Sequence, residues 1–293
     1  MNAIRTDASP EPRDANFMDI TELRHVKRRF YGRYLASFLI SLVLAYVVVA
    51  FARGQIDWAT VGTFLTAKSI LSGFGNTVVM TILAMALGVV LGVIVAVMRL
   101  STNPIARAVA HGYVWFFRGT PVILQLLLWF NLALVFPHIG IPGLFEFRTV
   151  DVMTPFLAAL LGLGINQGAY TSEVVRAGLL SVDSGQYEAA KAIGMLRLQA
   201  LRRIILPQAL RVIVPPIGNE LIGMAKMTSL ASVIQYTEML HNAENIYYAN
   251  ARVIELLIVA GVWYLVIVSV LSVLQSRLEL RLARGAGRPA SKQ

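Results

Sequence analysis

Long uninterrupted apolar blocks dominate the chain, and their length sets the first expectation. Crossing a hydrocarbon core of about 30 Å takes about 20 helical residues at about 1.5 Å each. Blocks of that length run from about Tyr34 to Ala52, Asn76 to Met98, Ala108 to Phe136, Met153 to Tyr170, Val212 to Met239 and Val253 to Val273. Charges inside them are few: Arg118 in the third, Glu220, Lys226 and the penultimate Glu238 in the fifth, and Glu255 near the start of the last. No strand-like alternation or repeat interrupts the pattern. It predicts an all-α membrane protein, a bundle of about six transmembrane helices.

Composition narrows the reading. The 293 residues are 57% hydrophobic and 14% charged, with a mean hydropathy of +0.66. An ordinary soluble domain carries about 25% charged residues. The net charge is nevertheless +10, which suits a membrane protein or a nucleic-acid binder, and the placement of the basic residues separates the two. They gather in the leading arm (Arg24, Lys27, Arg28, Arg29 and Arg33 among them), around Arg99, Arg107 and Arg118, in the charged segment from Arg176 to Arg211, and in the tail. The opposite connections hold only Arg53, Lys68, Arg148 and Arg252. This asymmetry predicts both termini on the cytoplasmic side. It also argues against a nucleic-acid face, which would concentrate charge on one element. Cysteine is absent, so disulfides, thiolate metal sites and a cysteine nucleophile are excluded. The first 33 residues are polar and lack the apolar stretch of a cleavable signal peptide.

Within the helical blocks, Gly88 and Gly92, and Gly164 and Gly168, form Gly-x-x-x-Gly pairs, the spacing that lets helices approach closely. The connection from Ser181 to Ala209 carries helical punctuation unusual for a loop. Asp183 and Gln186 predict a capped helix start, Gly194 a sharp turn, and Pro207 either the end of a second helical piece or its turn into the next span. Two short amphipathic helices outside the membrane suit docking in a partner's groove; an interfacial pair lying on lipid headgroups is the alternative.

Glu188-Ala189-Ala190, then Gly194, then Ile205-Leu206-Pro207 resembles the EAA loop of ABC-importer permeases. More narrowly, the chain resembles the polar amino-acid permeases. Three further stretches carry the resemblance: Phe116-Phe117-Arg118-Gly119-Thr120-Pro121, Gly168 to Glu173, and Pro215 to Glu220 followed by Lys226 to Leu230. It covers roughly residues 70 to 280. It implies a five-span type I importer permease core at 70–280, with a coupling loop at 181–209, preceded by an arm at 1–33 and an extra span with its external connection at 34–69. The last segment, 281–293, is a basic tail.

The resemblance implies that Glu188, Ala189, Ala190, Gly194, Leu206 and Pro207 couple the chain to a cytoplasmic ATPase dimer. ATP and magnesium would be bound there rather than by this chain. It further implies a periplasmic or lipid-anchored solute-binding protein, and a second permease subunit (a copy of this chain or a sister), all at the bacterial inner membrane. Polar residues inside spans are costly and mark pathways, so Asn166, Gln167, Asn219, Glu220, Lys226, Thr228 and Ser229 are candidate substrate-pathway residues. Asn219, Gly223 and Lys226 share one helical face. Arg118, Gly119, Thr120 and Pro121 are expected to stabilise a helix start, with Pro121 in its first turn. Members often have an aspartate after the span-five lysine, where this chain has Met227.

Two other functions compete. No Gly-x-x-x-x-Gly-Lys-Ser/Thr loop, Gly-x-Ser-x-Gly elbow or His-Glu-x-x-His pair occurs, which argues against an enzyme. A secondary transporter or channel fits the spans but leaves the loop at 181–209 without a purpose.

Overall fold

A computed structural model describes residues 31–141 and 145–283. The arm at 1–30 and the tail at 284–293 lie outside the described residues. The chain divides into two units at Gln55/Ile56. In the first, α1 (Tyr31–Ala52) is apolar on every side, as a helix bathed in lipid must be.

The second unit begins with α2 (Trp58–Leu65) and α3 (Lys68–Leu100). Asp57 caps α2, its carboxylate accepting from the Thr60 amide and hydroxyl. Those bonds hold the Asp57 carboxyl below its usual range. Its own amide donates to Glu255, and Arg252 sits 3.6 Å from Asp57 and 3.7 Å from Glu255. The connection predicted at 34–69 is therefore split: α2 packs through Val61 into a core with Ile70, Met239 and Leu256 and belongs with the later helices.

Next come α4 (Pro104–Gly119), capped by Asn103, and α5 (Val122–Phe130). A 3-10 turn leads to a two-stranded hairpin of β1 (His138–Ile141) and β2 (Phe145–Arg148), then the short α6 (Thr149–Val152). Among the described residues, this strand pair is the one departure from all-helical structure that the block pattern does not predict. Four residues per strand are too few for alternation to register against the surrounding helices. The rest of the chain forms α7 (Pro155–Leu180), α8 (Ser184–Ala192), α9 (Arg197–Ala200), a π-helical turn (Leu201–Ile205), α10 (Leu206–Met227), a 3-10 segment (Thr228–Ile234), α11 (Met239–Asn250) and α12 (Val253–Ala283).

Among the described residues, three helices (α1, α3 and α12) are long and apolar enough to cross a membrane by themselves, or four if the bent pair α4–α5 is one span. At 26 and 22 residues, α7 and α10 have the length. Polar residues within them, Asn166 and Gln167 in α7 and Glu220 and Lys226 in α10, dilute their apolarity. The most extensive contact is α3 against α7, made close by glycine. A Cβ on Gly88 would stand 2.6 Å from Gln167, one on Gly92 2.7 Å from Thr171, and one on Gly164 2.7 Å from Leu87.

Two predicted blocks change shape. The third is not one straight span: α4 and α5 meet at 103°, because Pro121 cannot donate to the carbonyl four residues back. The fifth starts earlier and ends sooner. Its helix opens at Leu206 and stops at Met227, and the 3-10 continuation closes at Gln235, whose φ is 62°.

Candidate functional site

The polar residues of α7 and α10 meet at one carboxylate. Glu220 accepts from Gln167 Nε2 at 2.8 Å and from Thr171 Oγ1 at 2.9 Å, while Gln167 also reaches Thr171 at 3.1 Å. Small residues beneath make this possible, since Gly88 and Gly92 of α3 leave room for Gln167 and Thr171. A helix bearing a carboxylate at this depth needs donors from its neighbour, and α7 supplies two.

The predicted pathway set is therefore divided. Asn219 and Lys226 lie on an exposed face of α10, and a Cβ on Gly223 between them would meet nothing within 4 Å. Glu220 instead turns toward α7. Residues 219 and 220 are about 100° apart on the helix, so the carboxylate sits on the flank of the face that carries the amide and the ammonium. Among the described residues, no partner of the Lys226 ammonium is seen. Thr228 is fully buried and donates to the Ala225 carbonyl; Ser229 donates to that of Lys226. Both hydroxyls serve the turn from α-helix to 3-10 helix.

Asn166 is held at the bend rather than beside Glu220. It is 1% exposed and donates to the Phe117 carbonyl at 2.7 Å. That carbonyl is the one orphaned by Pro121, four residues on. Gln125 donates to it as well at 3.1 Å and grips the Thr120 hydroxyl at 2.7 Å. Asn166 and Gln125 thus stitch the 103° bend. Pro121 precedes α5 as its cap residue rather than sitting in its first turn. Replacing Asn166 by alanine is expected to destabilise the protein by about 1–3 kcal/mol, read as a lower thermal midpoint in detergent. Uptake affinity should be unchanged in the folded fraction.

Arg118 also acts at the bend. Its guanidinium stands 5.1 Å from the Tyr170 ring centre and 3.3 Å from Glu173 Oε1. Glu173 further holds Arg99 at 2.6 Å and Arg176 at 3.1 Å. Thr171 and Glu173 were legible as members of the Gly168–Glu173 stretch but with no role attached, and Gln125 only as a polar residue within an apolar block.

The segment from 181 to 209 forms two short helices around Gly194. Asp183 caps α8, accepting from the Gly185 amide at 2.7 Å. Its predicted partner Gln186 instead lies 3.3 Å from Gln208. The helix ends where Met195 N–H reaches the Ala190 carbonyl and Gly194 N–H that of Lys191, with φ of +74° at Gly194. This paired closure needs a left-handed residue at 194. Ala190 is buried, but Glu188, Ala189 and Ala192 are exposed, as are Leu196, Leu198 and Ile193, the last 75% accessible. A cavity of about 460 Å³ between Tyr187, Lys191, Met195, Arg197 and Leu201 opens beside them.

Of the two outcomes expected at Pro207, the chain takes the second: the helical piece is not ended there but turned into the next span. The chain passes from α9 through the π-helical turn straight into α10, with Leu206 and Pro207 as its first two residues. Leu206 N–H reaches back five residues to Leu201. The wider turn absorbs the bond that proline cannot make.

Residues 88–284 match the family described as binding-protein-dependent transport system inner membrane component. The chain is 40% identical to the arginine transport system permease protein ArgU of Corynebacterium glutamicum, over 96% of this chain and 86% of that one. It is 34% identical to the glutamine transport system permease protein GlnP of Escherichia coli K12, over 78% and 98%. Its backbone resembles a chain of a crystallised amino acid ABC transporter, with a TM-score of 0.67 and 34% identity over 78% of this chain and 99% of that one.

Proposed function

Because this chain belongs to the binding-protein-dependent inner-membrane transport components, as a permease subunit of an ABC importer, we propose that it moves polar amino acids through a path flanked by α7 and α10. The observation that carries this reading is the uncovered polar face of α10. Asn219 and Lys226 lie along it with open space at Gly223, while Glu220 on its flank is held in place by Gln167 and Thr171. A zwitterionic solute offers both a carboxylate for the ammonium and an ammonium for the carboxylate. In a single chain that face has no cover, so a second permease subunit (a copy or a sister) closes the path across it.

Transport then needs energy from outside the chain. The helices α8 and α9, hinged at Gly194 and exposing Ile193, Leu196 and Leu198, dock on an ATPase dimer that binds ATP and magnesium. Glu188, Ala189 and Ala190 lie along α8, and Leu206 and Pro207 carry the motion into α10. A solute-binding protein delivers the amino acid to the opposite face. The α8 side is cytoplasmic, as are both termini.

Proteoliposomes holding this chain with its ATPase and binding protein test the reading. Uptake of labelled amino acids should require all three components and ATP. Uptake by this chain alone would instead favour a secondary transporter or channel. In the complete system, Lys226→Met is expected to lower the rate at subsaturating substrate by about tenfold, the scale of one lost charged hydrogen bond. Unchanged kinetics would remove Lys226 from the path.

A further inference from the structure

The bend between α4 and α5 places an unbalanced cationic cluster beside an apolar cavity. Glu173 is the only carboxylate paired with Arg99, Arg118 and Arg176 in the described residues, so the cluster carries two surplus positive charges. Arg118 and Arg176 remain partly open to the outside, at 43% and 35% side-chain exposure. The buried Nε of Arg99 has no hydrogen-bond acceptor. A donor set with more charge and more N–H groups than its one carboxylate can satisfy has room for a further anion.

The surroundings decide what kind of anion. From Pro155, Glu173 lies about 27 Å along α7 at about 1.5 Å per residue, near the far edge of a hydrocarbon core of about 30 Å. Phe116 and Phe117 precede Arg118 in the chain, and with Leu128, Trp129, Leu132 and Gln125 they line a cavity of about 190 Å³ in the crook of the bend. On the outer side of α4, Trp115 is 78% exposed and Ile105 73%. An anion site next to an apolar cavity at headgroup depth fits one amphiphile. A soluble phosphate would have no use for the aromatic lining, and a neutral lipid none for the surplus charge.

We propose that an anionic glycerophospholipid binds here, its phosphate on Arg118 and Arg176 and an acyl chain along Phe116 into the cavity. The lipid would stiffen the bend that Asn166 and Gln125 already stitch, and would tie transport to the charge of the leaflet on the α8 side. This rests on the chain's placement in a membrane and not on the identity of its substrate.

The test uses the full chain in nanodiscs of phosphatidylcholine with or without phosphatidylglycerol, followed by native mass spectrometry of retained lipid. Wild type should keep phosphatidylglycerol in preference to phosphatidylcholine. Arg118→Ala with Arg176→Ala should reduce that preference by about thirtyfold, about fivefold for each basic residue near an anionic headgroup. Arg118→Ala alone leaves Glu173 with two arginines and reads the same quantity should the double variant not assemble. Arg148→Ala, in the hairpin, should change nothing. Equal retention of both lipids by wild type, or an unaltered preference in Arg118→Ala, overturns the proposal. Displacement of the lipid by millimolar inorganic phosphate would also overturn it, since a phosphate site alone needs no acyl chain.

Discussion

Replacing Gly194 by valine is expected to abolish substrate uptake while leaving the chain folded in the membrane. The backbone at 194 has φ of +74°, where an L-residue costs about 1–2 kcal/mol and a β-branched one more. A Cβ there would meet nothing within 4 Å, so the penalty is conformational and does not spread into the core. What it disturbs is the closure of α8 by Met195 and Gly194 on Ala190 and Lys191. Losing that closure re-aims Leu196 and Leu198 relative to Ile193, and these are the side chains the proposed ATPase contact uses. A cost of about 2 kcal/mol reduces the docking-competent turn by about thirtyfold. ATP hydrolysis by the assembled complex should lose its dependence on transport. Gly194→Asn, which tolerates the left-handed region, should recover much of the activity. Normal uptake by Gly194→Val would remove the turn from the coupling device.

The contrast between 194 and the bend shows what sequence reading reaches. Gly194 was legible because a helix stop by glycine is a local event, written within a few residues of chain. The bend at Pro121 was legible only in part. Proline announces a lost hydrogen bond, but the carbonyl it orphans is answered by Asn166, 49 residues later than Phe117, and no spacing along one chain encodes that meeting. Asn166 and Gln167 are neighbours of the same polar character, yet helix rotation sends one to the bend and the other to Glu220. Block length found α1, α3 and α12 because lipid demands apolarity all round. It placed the polar α7 and α10 less well, since their buried faces are matched to other helices rather than to lipid. Hydropathy also could not see that α2 packs with the later helices, because Val61 and Ile70 look the same whether they face lipid or Met239.

Overfilling the α3–α7 contact is expected to have the largest effect on stability. Gly92 of α3 faces Thr171, and a Cβ built there would lie 2.7 Å from the Thr171 Cβ and 3.0 Å from the Ser172 backbone nitrogen. Neither can withdraw: Thr171 Oγ1 is committed to Glu220 at 2.9 Å, and Ser172 N lies within the helix ladder. Gly92→Val must therefore push α3 away from α7 along two of the longest helices, separating Gly88 from Gln167 as it does so. Overpacking of this kind costs about 1–3 kcal/mol or more, and here it also pulls the Glu220 donors out of register. Two results are expected from one substitution. The detergent-solubilised protein should lose thermal stability, and the fraction that folds should transport poorly because Glu220 loses its fixed orientation. Gly75→Ala on the same helix, where an added Cβ meets nothing within 4 Å, supplies the comparison. It should be neutral or slightly stabilising, since alanine is favoured over glycine in a helix by about 1 kcal/mol. If Gly92→Val matches Gly75→Ala in melting and in uptake, close approach at this glycine is not what holds the two helices together.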